Sequence, residues 1–254
     1  MSITGKKKNG LIGWVGPLVL ITIWAGVNLS GLVDSLYLPN VGEVAKRMVE
    51  FLSTDGWRHI SSTLTRTLLS IGLATVIGVP LGLIIGLSPQ LYQASEIIID
   101  FFRSVPGTAF FPLFLLFFGV GDEVKIAITS FVVSWVMLLN SVYGVWNCPK
   151  TRMKIAKVFR ASRWQIFREV IIFDALPQIV VGLRLSLSLA LVITIVTEMY
   201  IGGNYGLGRK IYDSYIAYDT AKLYAIILVI GGLGLLINKS FGYFERKVVH
   251  WAGK

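Results

Sequence analysis

Residues 64–87 read LTRTLLSIGLATVIGVPLGLIIGL. Their apolar side chains follow one another without a solvent-facing stripe, and Arg66 is the one charge among them. A soluble amphipathic helix alternates its faces, whereas a span of hydrocarbon needs about 20 apolar residues in succession. Backbone polar groups in lipid have to be satisfied within the segment, so the run is read as a transmembrane helix. A transmembrane barrel would instead need short segments of alternating polarity.

The same reading extends outward in both directions. Apolar runs are expected to span at about 11–33, 64–87, 108–120, 126–146, 176–200 and 223–243. This gives an all-α membrane protein of about six transmembrane helices forming a single transmembrane domain over 1–254. The whole-chain figures agree. Hydrophobic residues make up 54% of the 254, charged residues 15%, and mean hydropathy is +0.70. A soluble domain carries about a quarter charged residues. The composition therefore excludes a soluble enzyme, a disordered tail and a disulfide-stapled secreted module.

The formal net charge is +10. In a soluble protein such a balance would point to nucleic acid, but here it follows the loops. With the N-terminus inside, basic residues on the inner side outnumber those on the outer side by about two to one, which orients both termini toward the cytoplasm. Lys6-Lys7-Lys8 before the first run has the outline of a signal peptide. The length of the run and the lack of a small-x-small cleavage site favour a retained first span. One cysteine, Cys148, and two histidines, His59 and His250, make no recognisable metal spacing. No phosphate-binding G-x-x-x-x-G-K-[ST] loop is present, so ATP is not expected on this chain.

Three features go beyond hydrophobicity. Gly78, Gly82 and Gly86 lie four apart, a spacing that lets helix backbones approach closely. Gly182, Ser186, Ala190 and Thr194 form a similar stripe on the fifth run, which also carries Arg184, Ser188 and Glu198. A carboxylate inside a span is expensive and faces protein or water, so Glu198, with Ser188, is a candidate for the translocation path or for holding a helix end. The third feature is the basic segment 150–170, KTRMKIAKVFRASRWQIFREV. It combines seven cations with apolar residues at helical spacing: Ile155, Phe159, Ile166, Phe167 and Val170. It reads either as an interfacial helix on anionic lipid or as a helix-turn-helix offered to a cytoplasmic partner.

The run Ala161-Ser162-Arg163-Trp164-Gln165-Ile166-Phe167-Arg168-Glu169-Val170, followed by Ala175-Leu176-Pro177 and Gly182-Leu183-Arg184, resembles the permease subunit of ATP-binding-cassette importers. The nitrate, sulfonate, taurine and bicarbonate branch is the most similar. Leu38-Pro39 with Glu43-Val44, Gly78-Val79-Pro80-Leu81-Gly82, Phe102-Arg103-Ser104-Val105-Pro106, Glu198-Met199 and Gly206-Leu207-Gly208 fit the same pattern in the same order. The resemblance implies a type I importer fold with a cytoplasmic coupling helix, no catalysis in this chain, and a place in the bacterial cytoplasmic membrane. It implies two ATPase subunits that bind ATP and magnesium, an extracytoplasmic binding protein, and a second permease copy. Docking to the ATPase would fall to Ala156, Arg160, Ala161, Ser162, Arg163 and Trp164. The cargo implied is a small anion, with an aromatic acid or vitamin precursor as alternatives. A self-sufficient secondary transporter or channel, or a non-transporting sensor subunit, is the competing function.

The segment departs from the family pattern: of the signature Glu-Ala-Ala-x-x-x-Gly only Ala156 fits, and the Leu-Pro frequent in the family at the positions of Ile172-Phe173 is absent. Lys154 stands where the family signature has an acid, and Arg160 where it has a glycine. A non-glycine side chain fits easily there only if its φ is negative.

Overall fold

The computed structural model describes residues 12–251; Lys6-Lys7-Lys8, Leu11 and the last three residues lie outside the described residues. All regular structure among them is helical. It comprises α1 (Ile12–Leu29), α2 (Val41–Ser53), α3 (Gly56–Leu87), α4 (Pro89–Ser104), a 3-10 turn (Gly107–Phe110) and α5 (Phe111–Phe118). Then follow α6 (Asp122–Trp146), α7 (Lys150–Val158), α8 (Arg163–Ile166), a π-helical turn (Phe167–Ile171), α9 (Ile172–Ile201), α10 (Leu207–Ile216) and α11 (Thr220–Val248).

The chain divides into two compact units. The smaller contains α1, α2 and Ile211–Val229. Asn40 caps α2, its Oδ1 accepting the Gly42 N–H at 2.8 Å. The amphipathic helix then buries Val44 against Ala221 and Ala225. Tyr224 donates its hydroxyl to the Tyr37 carbonyl at 3.1 Å, and Trp24 Nε1 donates to the Pro39 carbonyl at 3.0 Å. These bonds tie the polar connection after α1 to the unit.

In the larger unit, α3, α6 and α9 share a core in which Ala74, Val133 and Ala190 are fully buried. The glycine ridge explains how α3 and α6 pack. A Cβ at Gly82 would lie 2.2 Å from the Leu138 carbonyl oxygen, and one at Gly78 would lie 2.7 Å from that of Ser134. Gly72, on the same helix, faces open space. Gly82→Leu should therefore abolish the folded, monodisperse protein, since the clash is with helix backbone. Gly72→Ala should leave the unfolding midpoint in detergent unchanged or raise it. Equal tolerance of both changes would mean that the ridge is not the seam.

Four helical stretches are long and apolar enough to cross a membrane: Gly56–Leu87, Asp122–Trp146, Arg163–Ile201 and Thr220–Val248. The shorter apolar helix Gly13–Leu29 lies in the first expected span. The segment expected to span at 108–120 has a different form. Its helix, α5, has eight residues, about 12 Å of rise, and is paired with α4 through a 91° bend. The cause is local. Val105 precedes a proline and is extended, at φ −79° and ψ 124°, as that position favours. Gly107 then lets the turned backbone press on Val132, whose Cγ2 would stand 2.7 Å from a Cβ there.

Candidate functional site

The basic segment folds into a helix, a tight turn and a second helix. α7 ends in a Schellman arrangement. The Ala161 N–H donates to the Ala156 carbonyl at 3.0 Å, and the Arg160 N–H to the Lys157 carbonyl at 2.9 Å. That closure needs a left-handed residue after the cap, and Arg160 supplies it at φ +55°. The easy fit at negative φ is thus not the one the turn adopts: Arg160 holds a left-handed backbone that a glycine would take without strain. Left-handed backbone costs a non-glycine residue roughly 1–2 kcal/mol. Arg160→Gly should therefore raise the unfolding midpoint, by a few degrees at most. An unchanged or lower midpoint would count against a strained turn.

α8 begins with a capping box. Ser162 Oγ accepts the Gln165 N–H at 3.2 Å, and Gln165 Oε1 accepts the Ser162 N–H at 2.8 Å. Two helix ends are thereby fixed within a few residues. The turn divides its side chains by face. Ala156 and Ala161 pack inward against Cys148, Ile166 and Ile171. Arg160, Ser162, Arg163 and Trp164 face outward, with Trp164 65% exposed, and Ile155, Val158 and Phe159 are exposed beside them. A turn fixed on its inner side while it exposes a tryptophan, an arginine and bulky apolar groups has the makeup of an interface hot spot.

Behind the turn, Cys148 Sγ donates to Asp174 Oδ2 at 3.1 Å, and Asp174 also pairs with Arg152. Burial, reinforced by the bond to Asp174, pushes the thiol up to about 11 from an ordinary 9.0. At pH 8 the reactive thiolate is then about a hundredfold scarcer than on a free cysteine. Alkylation by N-ethylmaleimide, followed by mass spectrometry, should be correspondingly slow and keep accelerating above pH 9. Asp174→Asn should speed it. Reaction at the rate of a free thiol would contradict the buried bond.

Glu198 lies near the other end of α9, fully buried. The structure gives it three donors on two elements, α3 and α10. Thr63 Oγ1 donates to it at 2.9 Å, Arg66 Nη1 at 2.6 Å and the Gly208 N–H at 3.0 Å. Thr63 Oγ1 in turn accepts the Leu207 N–H at 2.9 Å. Arg66 also donates to the Tyr205 carbonyl at 2.9 Å and pairs with Asp122 at 2.8 Å. The Gly206 N–H donates to His59 Nδ1 at 3.0 Å, which ties His59 to this loop. Glycine is required in this loop. A Cβ at Gly206 would lie 2.5 Å from the Glu198 carboxyl carbon, and one at Gly208 would lie 2.1 Å from the Ile195 carbonyl oxygen.

Glu198 therefore ties the chain between α9 and α10 to α3. Ser188 is exposed on α9, ten residues away and about 15 Å along the axis, so the two weak path candidates do not form one site. Arg184, the cation on this helix, pairs with Glu245 at 3.3 Å. Sequence reading missed Arg66, Thr63 and His59 as partners of this region. The available signal was Arg66, a lone cation in an apolar run like the lone anion Glu198.

Helices of membrane-spanning length around a shared core, with a stiff outward-facing turn joined to α6 and α9, make a helical membrane protein. Residues 78–250, well over half of the chain, match the family described as binding-protein-dependent transport system inner membrane component, and the chain belongs to that family. It is 29% identical over 247 residues to the taurine transport system permease protein TauC of Escherichia coli (strain K12), covering 94% of this chain and 90% of that one. It is 30% identical over 191 residues to the nitrate import permease protein NrtB of Leptolyngbya laminosa, covering 75% and 68%. Among solved structures it resembles the inward-facing MetNI methionine ABC transporter, with a TM-score of 0.68 at 22% identity, over 75% of this chain and 94% of that one. The protein is the inner-membrane permease component of an ATP-binding-cassette importer, with a type I importer fold. It is not itself an enzyme and acts with an ATPase and a substrate-binding protein.

Proposed function

We propose that the chain forms the translocation path for a small organic or inorganic anion, of the sulfonate, nitrate or bicarbonate kind, as a homodimer served by two ATPase subunits. ATP and magnesium bind on those subunits. Both termini and the 150–170 segment face the cytoplasm, and the chain crosses the membrane about six times. Arg160, Ser162, Arg163 and Trp164 contact the ATPase, while Ala156 and Ala161 seat the turn on the permease.

The outward Arg163–Trp164 pair on a doubly capped turn is the observation that carries this reading. Length supports it as well. The continuous helical stretch Arg163–Ile201 has 39 residues, about 58 Å of rise against a hydrocarbon core of about 30 Å. Its first turns can therefore stand clear of the bilayer. The names of the relatives support an anion as cargo, as they include taurine, nitrate, sulfonate and bicarbonate permeases. In this reading, closure of the ATP-bound subunits draws the two docking turns together. The permease halves then shift between inward-open and outward-open states, a population shift driven by whichever state each ligand binds better.

Reconstitution in liposomes with the cognate ATPase and binding protein tests the reading. ATP hydrolysis should rise severalfold when the binding protein carries its anion. Anion uptake that proceeds without ATP or ATPase would instead make the chain a stand-alone transporter.

A further inference from the structure

The helical stretch Arg163–Ile201 carries the docking turn at one end, and it is not a uniform rod. The π-helical turn Phe167–Ile171 interrupts its α-helical ladder close to that end. A π-helical turn widens the hydrogen-bonded ring by one residue and is a place where long helices bend. Packing supports this one poorly on one side. Glu169 and Val170 of the turn border a cleft of about 300 Å³, which Arg152, Phe173, Asp174 and Trp251 complete. A wall that faces a void has no partner atoms there to resist its movement.

Two ties hold the walls of the cleft. Arg152 of α7 pairs with Asp174 of α9, but Arg152 is exposed and the pair is open to screening by water. The other tie comes from α11. Trp251, just past the end of that helix, meets Phe173 at 6.3 Å between ring centres and 53° between planes. Aromatic rings attract over centre distances of about 4.5–7 Å. Trp251 is itself anchored. Glu245 pairs with Arg184 at 3.3 Å, and the Val249 N–H donates to the Glu245 carbonyl at 2.9 Å. Val248 and Val249 pack on the core of Val180, Leu187 and Ala190, and His250 stands edge-on to the Trp251 ring at 5.1 Å. The end of α11 is therefore fixed along α9 and reaches, through Trp251, the residues next to the π-helical turn. An unpacked joint would absorb a push from the docking turn by bending. A tie from α11 to Phe173 opposes that bending.

We propose that Trp251 is a positioning residue for energy coupling: by clasping Phe173 it braces the π-helical turn, so that movement of the docking turn is delivered to α9 and α11 together. The proposal rests on the docking role given to the turn above and adds the route by which that turn acts on the membrane helices.

The test is hydrogen–deuterium exchange of the full-length chain in complex with its ATPase, read by mass spectrometry, for wild type and Trp251→Ala. Without nucleotide, amides at 167–173 should exchange about threefold faster in the variant, the scale of one aromatic contact, while those of α6 keep their rate. With a non-hydrolysable ATP analogue and magnesium, wild type should show changed exchange in the docking turn, in α9 and in α11. In Trp251→Ala the change should stay in the docking turn, a difference that a general loss of stability would not produce. Trp251→Phe keeps a ring and should restore both results. Both rings of the contact are partly exposed, so truncation opens no buried cavity. Should Trp251→Ala nevertheless fail to fold, Phe173→Ala removes the contact from its other side and decides. Wild-type exchange at 167–173, a nucleotide response that reaches α9 and α11 undiminished, or a Trp251→Phe chain that behaves like Trp251→Ala would each overturn the proposal. A wild-type chain that holds no ATPase, or shows no response to nucleotide, would overturn it together with the permease reading. A wild-type response that survives intact in Trp251→Ala overturns the brace alone.

Discussion

Arg66→Met should lower the unfolding midpoint by on the order of 10 °C and abolish transport. The carboxylate of Glu198 is fully buried, and Arg66 is the cation that hydrogen-bonds it, at 2.6 Å. Removing one member of a buried pair leaves the other charged and unpaired, which costs about 3–5 kcal/mol. For a chain of this size each kcal/mol moves the midpoint by roughly 2–4 °C. The Thr63 hydroxyl and the Gly208 N–H would remain, and they cannot replace the cation. The double variant Arg66→Met, Glu198→Leu removes the orphaned charge and should recover part of the loss, because contacting residues are coupled rather than additive. Circular dichroism melts of the three proteins in one detergent would measure this. Single variants as stable as wild type would mean that Glu198 is solvated or protonated and ties no loop.

Trp164→Ala should release the ATPase. In an interface of this type a buried tryptophan contributes about 2 kcal/mol or more on truncation, a fall of roughly thirtyfold in affinity. Combining it with Arg163→Glu reverses the charge beside it, and like charges across an interface oppose association further. Both changes should leave the permease folded, since both side chains are exposed and Trp164 meets the inner cluster through its ring contact with Phe167, at 5.6 Å. Quantitative mass spectrometry of the tagged chain after detergent extraction should therefore find the permease folded and the ATPase depleted. Unchanged recovery of the ATPase would move the docking surface elsewhere, with the exposed Ile155–Phe159 side chains as the next to replace.

The membrane-spanning helices were legible in the sequence because hydrocarbon demands a continuous apolar run, and 64–87 or 176–200 can hardly be read otherwise. The α4–α5 bend was harder. Val105-Pro106-Gly107 was visible as a break, yet nothing local says that α5 stops after eight residues and that the preceding polar-looking stretch becomes its partner. The docking turn was legible as a segment and illegible as a geometry. The Ser162-x-x-Gln165 spacing was there to be read as a capping box. The left-handed Arg160 was not, because tertiary context imposes on an arginine a backbone that local preference assigns to glycine. For Glu198 the sequence marked both charges, but its partner Arg66 lies 132 residues away, and only the packing of α3 on α9 joins them. Gly206 and Gly208 had no evident purpose until the structure placed Glu198 and the Ile195 carbonyl where their side chains would be.

The central claim is that the 156–164 turn is where this permease meets its ATPase. The most direct measurement is site-specific photo-crosslinking from Ser162→Cys in a Cys148→Ser background, labelled with a short benzophenone maleimide in native membrane vesicles. The account predicts a crosslinked product that mass spectrometry identifies as an ATP-binding-cassette ATPase, with the same probe at Gly72 giving none. Crosslinks from Ser162 to lipid alone, with no nucleotide-binding protein among the products, would contradict it.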